Sequence, residues 1–303
     1  MGRISSTLHF IKVTEMKIHF PVTEMTFLRY FIPVASMAKS RGHEVLFSFK
    51  SNSKYNNPCS ASHKKVCEEL LDQYGFNRGD RGDVTVCVEG IESDSSPVSY
   101  ALTYMYDFAN LYSSYIGRVN HVVFPSEHFA KHFDCLSDKN LYLGCPKYDV
   151  SIKPEHVYGK YSLDPNRRYA LVAYPRARDM AKIDVTTICE DLISDGYTPI
   201  IKTRGKDPVR NEHKKYINFT DKSWYPHSSM ELITISDKIV NTGSSMVKEI
   251  VMLGKQDAVI NYNIKPSSCL DMPELYEEGA RKYLGPEGSA SKRIIEHMEI
   301  NYG

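Results

Sequence analysis

The sequence predicts an α/β protein made of two similar halves, each a parallel sheet with helices packed on it. Three observations carry this expectation. Short apolar, β-branched runs bounded by turn residues alternate with segments of helical periodicity along most of the chain. The alternation starts as strand, helix, strand, and restarts in the same way after a charged stretch near the middle. A length of 303 residues suits two domains of about 150 residues each better than one core.

Residues 1–15 are expected to form an N-terminal extension. Its apolar patch, Leu8 to Val13, lacks the long h-region and small-residue cleavage site of a signal peptide. A first domain spans 16–150. Lys17 to Val22 is its first strand, followed by the loop Thr23 to Thr26 and a helix from Phe27 to Lys39 that Pro33 could kink by removing a donor. Arg41-Gly42-His43-Glu44 ends that helix, and Val45 to Phe49 is the second strand. A polar loop, a helix over His63 to Tyr74 and a strand over Val84 to Val88 come next. The repeated Arg-Gly-Asp at 78–80 and 81–83 lies directly before that strand, where turn chemistry explains it. Strands over Tyr100 to Tyr106, Val119 to Phe124 and Leu141 to Gly144 complete the half, with Ser126 as N-cap of a helix over Glu127 to Phe133.

Residues 151–168 are charged and aromatic without clear periodicity and are expected to be a linker. The second domain, 169–303, opens with a strand over Tyr169 to Tyr174 and the polar loop Pro175 to Asp179. A helix over Ile183 to Ser194 and a strand over Thr198 to Lys202 follow, then Tyr216 to Phe219 and a short helix over Ser229 to Ile235. Lys238-Ile239-Val240 leads into the small-residue turn Asn241-Thr242-Gly243-Ser244-Ser245 and a helix that stops at Gly254. Asp257 to Tyr262 closes the sheet, and the C-terminal helices are free to pack back on the first domain.

Composition narrows the function. Lys and Arg number 38 against 37 Asp and Glu, so the net charge of +1 argues against a general nucleic-acid binder. Seven cysteines in odd number without a C-x-x-C pair indicate neither a disulfide framework nor a zinc site, and free thiols suit a cytoplasmic location. No run approaches the ~18 apolar residues of a membrane span. Dinucleotide, P-loop and hydrolase motifs are missing, as is an Asp-x-Asp placed after a strand to hold a metal.

The turn at 241–245 is the candidate phosphate cradle, because small residues and free helix N–H groups admit an anion, although an ordinary capped helix has the same composition. Gly243, Ser244 and Ser245 would meet the phosphates, and Glu249, a turn along the helix, could accept from sugar hydroxyls. Arg176, Arg178, Lys202, Arg204 and Lys206 fall on loops after strands of the same sheet, with Arg204 the best-placed guanidinium for a pyrophosphate. Phe219, Trp224 and Tyr225 could wall a nucleobase by stacking. A general base is expected from the first half, at Asp107 or Glu24, with Glu127-His128 a further candidate. His43, at the N-terminal side of its strand, is expected to be structural. The sequon Asn218-Phe219-Thr220 is expected to stay unused.

Arg41 to Val45, Pro125-Ser126-Glu127-His128-Phe129 and Leu143-Gly144-Cys145-Pro146-Lys147-Tyr148-Asp149, set in two α/β halves, resemble GT-B glycosyltransferases. The second half is similar to the branch that includes UDP-N-acetylglucosamine 2-epimerases and CDP-glycerol glycerophosphotransferases. Aligned on Leu253-Gly254, Ser244 and Ser245 take the Gly-Gly positions of the epimerase phosphate turn, and Glu249 takes the place of the ribose-binding glutamate. Lys248 replaces the glutamate that precedes it there, and Asp107-Phe108 replaces the His-Gly of the glycerophosphotransferases. The resemblance implies two Rossmann-like domains across a cleft, the first on the acceptor side. It also implies a metal-independent glycosyltransferase without cofactor, moving a sugar from a nucleotide-diphosphate sugar, UDP first, to a glycan hydroxyl or small-molecule acceptor, with inversion. A UDP-sugar 2-epimerase, a polyol-phosphate transferase and a non-catalytic nucleotide- or glycan-binding module are the alternatives.

Overall fold

In a computed structural model, residues 14–49, 61–103, 112–177, 179–203, 209–219, 228–244, 246–261 and 280–303 are described. Their strands form two sheets. The first holds β1 (Lys17–Val22), β2 (Glu44–Phe49), β3 (Asn77–Arg78), β4 (Val84–Val88), β5 (Val98–Leu102), β6 (His121–Phe124) and β7 (Asn140–Tyr142), in the order β3-β2-β1-β4-β5-β6-β7. The second holds β8 (Tyr169–Ala173), β9 (Thr198–Lys202), β10 (Ile217–Phe219), β11 (Ser236–Asn241) and β12 (Val259–Asn261), in the order β10-β9-β8-β11-β12. Every pairing in both sheets is parallel.

Strand direction follows from the connections. Helices α1 (Leu28–Ser40), α2 (Ala61–Gln73), α3 (Tyr112–Tyr115) and α4 (Glu127–His132) lie between strands of the first half. A crossover helix returns the chain to the same edge and makes the next strand parallel. In the second half α6 (Val185–Ser194) and α7 (Ser228–Thr234) do the same, with α8 (Val247–Met252) ahead of the last strand. Both faces of each sheet are therefore covered. Along β8, Tyr169, Leu171 and Ala173 enter one apolar cluster and Ala170 and Val172 the other, the alternation a pleated strand imposes.

Local signals hold at several ends. Ser126 caps α4, its Oγ accepting from Phe129 N at 3.0 Å, and Asp184 caps α6 by accepting from Thr187 N. Gly254, at φ +66°, ends the segment of α8 as a left-handed stop. Helix α1 continues through Pro33, which is buried inside it.

Two expectations differ from what is seen. Residues 151–168 contain α5 (Pro154–Tyr161), with Pro154 in its first turn, and its Val157 and Tyr161, four residues apart, join the core under β8. Strand β5 ends at Leu102, and 104–111 lie outside the described residues.

The chain then crosses back. After α9 (Ala280–Leu284), α10 (Ala290–Tyr302) lays Ile294, Ile295 and Met298 into the core of the first sheet beside α1. Gly285 makes the return possible: its φ is +98°, and a Cβ there would stand 2.1 Å from Pro125 O and 2.8 Å from Gly144 Cα. Among the described residues, no helix is long and apolar enough to cross a membrane.

Candidate functional site

In each sheet the strand order reverses at a definite point, between β1 and β4 in the first and between β8 and β11 in the second. Open α/β sheets bind ligands outside the C-terminal ends of the strands flanking such a point. The second switch point is tied shut at its base, where Thr242 Oγ1 donates to Ala173 O at 2.5 Å and so joins the ends of β11 and β8.

Just beyond it lies the small-residue turn. Gly243 has φ +81°, a conformation that favours glycine. Asn241 Oδ1 accepts from Ser244 N at 2.9 Å, and Ser244 Oγ accepts from Met246 N at 3.3 Å. Two of the N–H groups expected to serve an anion are thus engaged within the turn, which is held in shape by its own side chains. Ser245 lies outside the described residues.

Glu249 is 5 % exposed and ion-paired with Lys147, which the last turn of the first half supplies. Burial alone pushes the Glu249 carboxyl up, but Lys147, Lys248 and Arg29 together outweigh it and hold the group below the ordinary carboxylate range. Lys202, at the end of β9, feels the same centre. Burial pushes its ammonium down to about 8, Arg29 adds to that effect, and Glu249 opposes it. Its Nζ donates to Thr203 O at 3.2 Å. Four cations from both halves therefore act on or around one carboxylate. Such a concentration of like charge in a buried place is costly unless an anion shares it.

Three of these residues were not legible as site residues. Arg29 stands in an apolar helix, Lys147 in a turn distant in sequence, and Lys248 displaces an expected glutamate. A signal existed for Lys147, since it lies inside the Leu143 to Asp149 motif.

The remaining candidates are dispersed. Arg176 is half-buried on the loop after β8, its carbonyl accepting from Asp179 N and Met180 N. Phe219 packs its ring on Tyr161, with centroids 4.8 Å apart, so α5 contacts the face expected to meet a base. Arg178, Arg204, Lys206, Trp224, Tyr225 and Asp107 lie outside the described residues. Glu24 follows β1 at the first switch point and accepts from Thr26 Oγ1 at 3.0 Å. Glu127 is exposed and paired with Lys131 at 2.6 Å, a surface contact. His43 is buried, Nδ1 accepting from Met16 N at 3.3 Å and Nε2 facing Glu299 at 3.0 Å.

The structure adds Glu89. It follows β4 on the other side of the first switch point, is 4 % exposed and adopts φ +51°, which is rare for a residue with a side chain. Its charge, second to burial, pushes the Tyr115 hydroxyl up. Among the described residues, no group of three or more His, Cys, Asp or Glu side chains is placed to hold a metal ion.

No family model matches the sequence, and no curated protein does. Solved structures do. One is a substituted form of the wall teichoic acid polymerase TagF soaked with CDPG, at TM-score 0.54 and 14 % identity over 93 % of this chain and 78 % of that one. Another, from Listeria monocytogenes and assigned as a UDP-N-acetylglucosamine 2-epimerase, matches at TM-score 0.60 and 9 % identity over 96 % of this chain and 98 % of the other. At such identities the likeness is one of architecture, and with two parallel α/β sheets in one chain that architecture is GT-B.

Proposed function

We propose that the protein is a glycosyltransferase that binds a nucleotide-diphosphate sugar at the junction of its halves, with UDP the first candidate nucleotide. The observation that carries the reading is the cluster of Arg29, Lys147, Lys202 and Lys248 around Glu249. A diphosphate is the anion such a cluster suits: it brings more than one charge and several acceptor oxygens, and lysine and arginine are its usual partners. Glu249 then has a different task, accepting from ribose hydroxyls beside the phosphates. Fold likeness to proteins with CDPG or an epimerase assignment supports the class of ligand.

The chemistry follows. A carboxylate of the first half takes the proton of an acceptor hydroxyl, the oxygen attacks the anomeric carbon, and the bond to the diphosphate breaks on the opposite face, giving inversion. Charge developing on the leaving phosphate meets fixed cations, which is the stabilisation worth most. The protein's own cations do this work in the reading, so transfer is metal-independent. The base is to be sought at Glu24, Asp107 or Glu89, and the reaction in the cytoplasm.

Release of nucleotide from UDP-, GDP- and CDP-sugars, with and without a glycan acceptor and with and without EDTA, tests the proposal. Transfer with at least one donor, insensitive to EDTA, is the expected result. A folded protein that neither transfers nor hydrolyses any donor would overturn the enzyme, and conversion of donor without acceptor would make it an epimerase.

A further inference from the structure

The turn Pro146–Tyr148 is clamped from two directions. Tyr148 packs against Val247 and Val251 of α8 together with Tyr283 and Leu284. One residue on, Asp149 accepts from Ser289 Oγ at 3.0 Å, from Ala290 N at 3.1 Å and from Ser291 N, and so holds the start of α10. Lys147 lies between these anchors, 9 % exposed, and its ammonium is delivered from the first half onto Glu249 of the second.

Glu249 is incompletely used by that contact. Oε1 takes Lys147, whereas Oε2 is buried with no hydrogen-bond partner among the described residues. An ionised carboxylate accepts at about four lone-pair sites, so one ammonium leaves capacity over. Two neighbouring hydroxyls would supply the missing donors. They are neutral, however, and in taking the carboxylate they leave the Lys147 charge without its counter-ion in a buried place. A ligand satisfies both residues when it carries a diol and, beside it, an anion of its own.

We propose that Lys147 makes this site select nucleoside diphosphates over nucleosides, by passing from Glu249 to the diphosphate when ribose hydroxyls engage the carboxylate. The charges of Arg29 and Lys248 act on the same carboxylate, and Lys202 feels it in turn; Lys147 is the cation ion-paired with it and so the one that changes partner. The inference rests on the nucleotide reading of the site, and it gives the first half a direct part in holding a ligand otherwise bound by the second.

Titration calorimetry with UDP, CDP and GDP, each against its nucleoside, tests it on the full chain. The wild-type protein is expected to prefer one diphosphate over its nucleoside. Lys147→Met is expected to cut that preference by about tenfold or more, the worth of one charge-assisted hydrogen bond, and Lys147→Arg to keep most of it. A general structural defect would weaken both ligands alike and leave the ratio unchanged. Should Lys147→Met fail to fold, Glu249→Gln carries the test: it weakens the nucleoside and frees the lysine, so the preference must rise. Wild-type preference that survives Lys147→Met, or does not rise in Glu249→Gln, overturns the role of Lys147 and leaves the site reading standing. A wild-type protein that binds none of these nucleotides overturns the site reading, and this inference with it.

Discussion

Arg41 grips Glu299 through two donors, Nε to Oε1 at 2.8 Å and Nη2 to Oε2 at 2.5 Å, across 258 residues of chain. His43 adds a third contact at 3.0 Å to the same Oε1. Arg41 holds the Glu299 carboxyl below its ordinary range, against the opposing effect of burial, and His43 helps. A depressed carboxyl contributes stability that is present above its unfolded pKa, about 4.3, and is lost as pH falls through the folded value. Glu299→Gln is therefore expected to cost about 2 kcal/mol near neutral pH and much less once the carboxyl is protonated in both states. Urea denaturation near pH 7 and at a pH below the folded carboxyl's own depressed pKa measures both, and an equal cost at the two would assign the loss to packing.

Among the described glycines, Gly285 leaves the least room for a side chain. At φ +98° a Cβ meets a backbone carbonyl, which has no flexible end to swing aside. Gly285→Ala is expected to destabilise by at least about 2 kcal/mol, the left-handed penalty plus the clash. Denaturation would show it, while the same change at Gly159, where a Cβ meets nothing within 4 Å, should be neutral or slightly stabilising because it lies within α5.

Lys202 predicts a pH limit on anion binding. Its ammonium is pushed down to about 8 by burial, so it loses its proton as pH rises through that value. Diphosphate affinity should fall severalfold between about pH 7 and about pH 9, with proton uptake on binding in the upper part of the range. Lys202→Met should bind weakly at both pH values and show no such fall. Calorimetry in two buffers of different ionisation heat detects the uptake.

His121 and His297 face each other, with ring centroids 5.0 Å apart, between β6 and α10. Tyr100 reaches His297 Nδ1 at 2.8 Å, and Tyr302 reaches His121 Nε2 at 2.6 Å. Burial lowers both histidines, and the charges of His297 and Lys139 lower His121 further. Below about pH 6.5 the unfolded chain takes up protons that the folded one resists, so stability declines as pH falls. Tm should drop by several degrees from about pH 7.5 to about pH 5.5, and less in His297→Gln. An unchanged pH profile in that variant would remove the pair as the cause.

The strand and helix series was legible because each element is short and locally signalled: Ser126, Asp184 and Gly254 mark ends by their own chemistry, and apolar residues dominate β4, broken only by Thr85, and β8. Helix α5 was not, since its apolar contact rests on Val157, Tyr161 and the half-buried Tyr158 among charged and polar neighbours. The charge cluster was legible in part. Lys202 and Glu249 belong to a sheet edge that topology predicts, but Arg29 reaches that edge from more than 170 residues earlier in the chain and Lys147 from more than fifty, and no periodicity encodes such a meeting. Glu89 escaped notice for another reason: its position depends on a left-handed turn that Glu-Gly does not advertise.

The seating of α10 in the first core sets an order of events during synthesis. Ile294, Ile295 and Met298 fill space between elements that left the ribosome some two hundred residues earlier. The half that emerges first thus waits with an apolar face uncovered while the second half, whose strands and helices are consecutive in sequence, can close on its own. A chaperone, or the speed at which 169–302 are translated, would govern how long that face stays open to wrong partners.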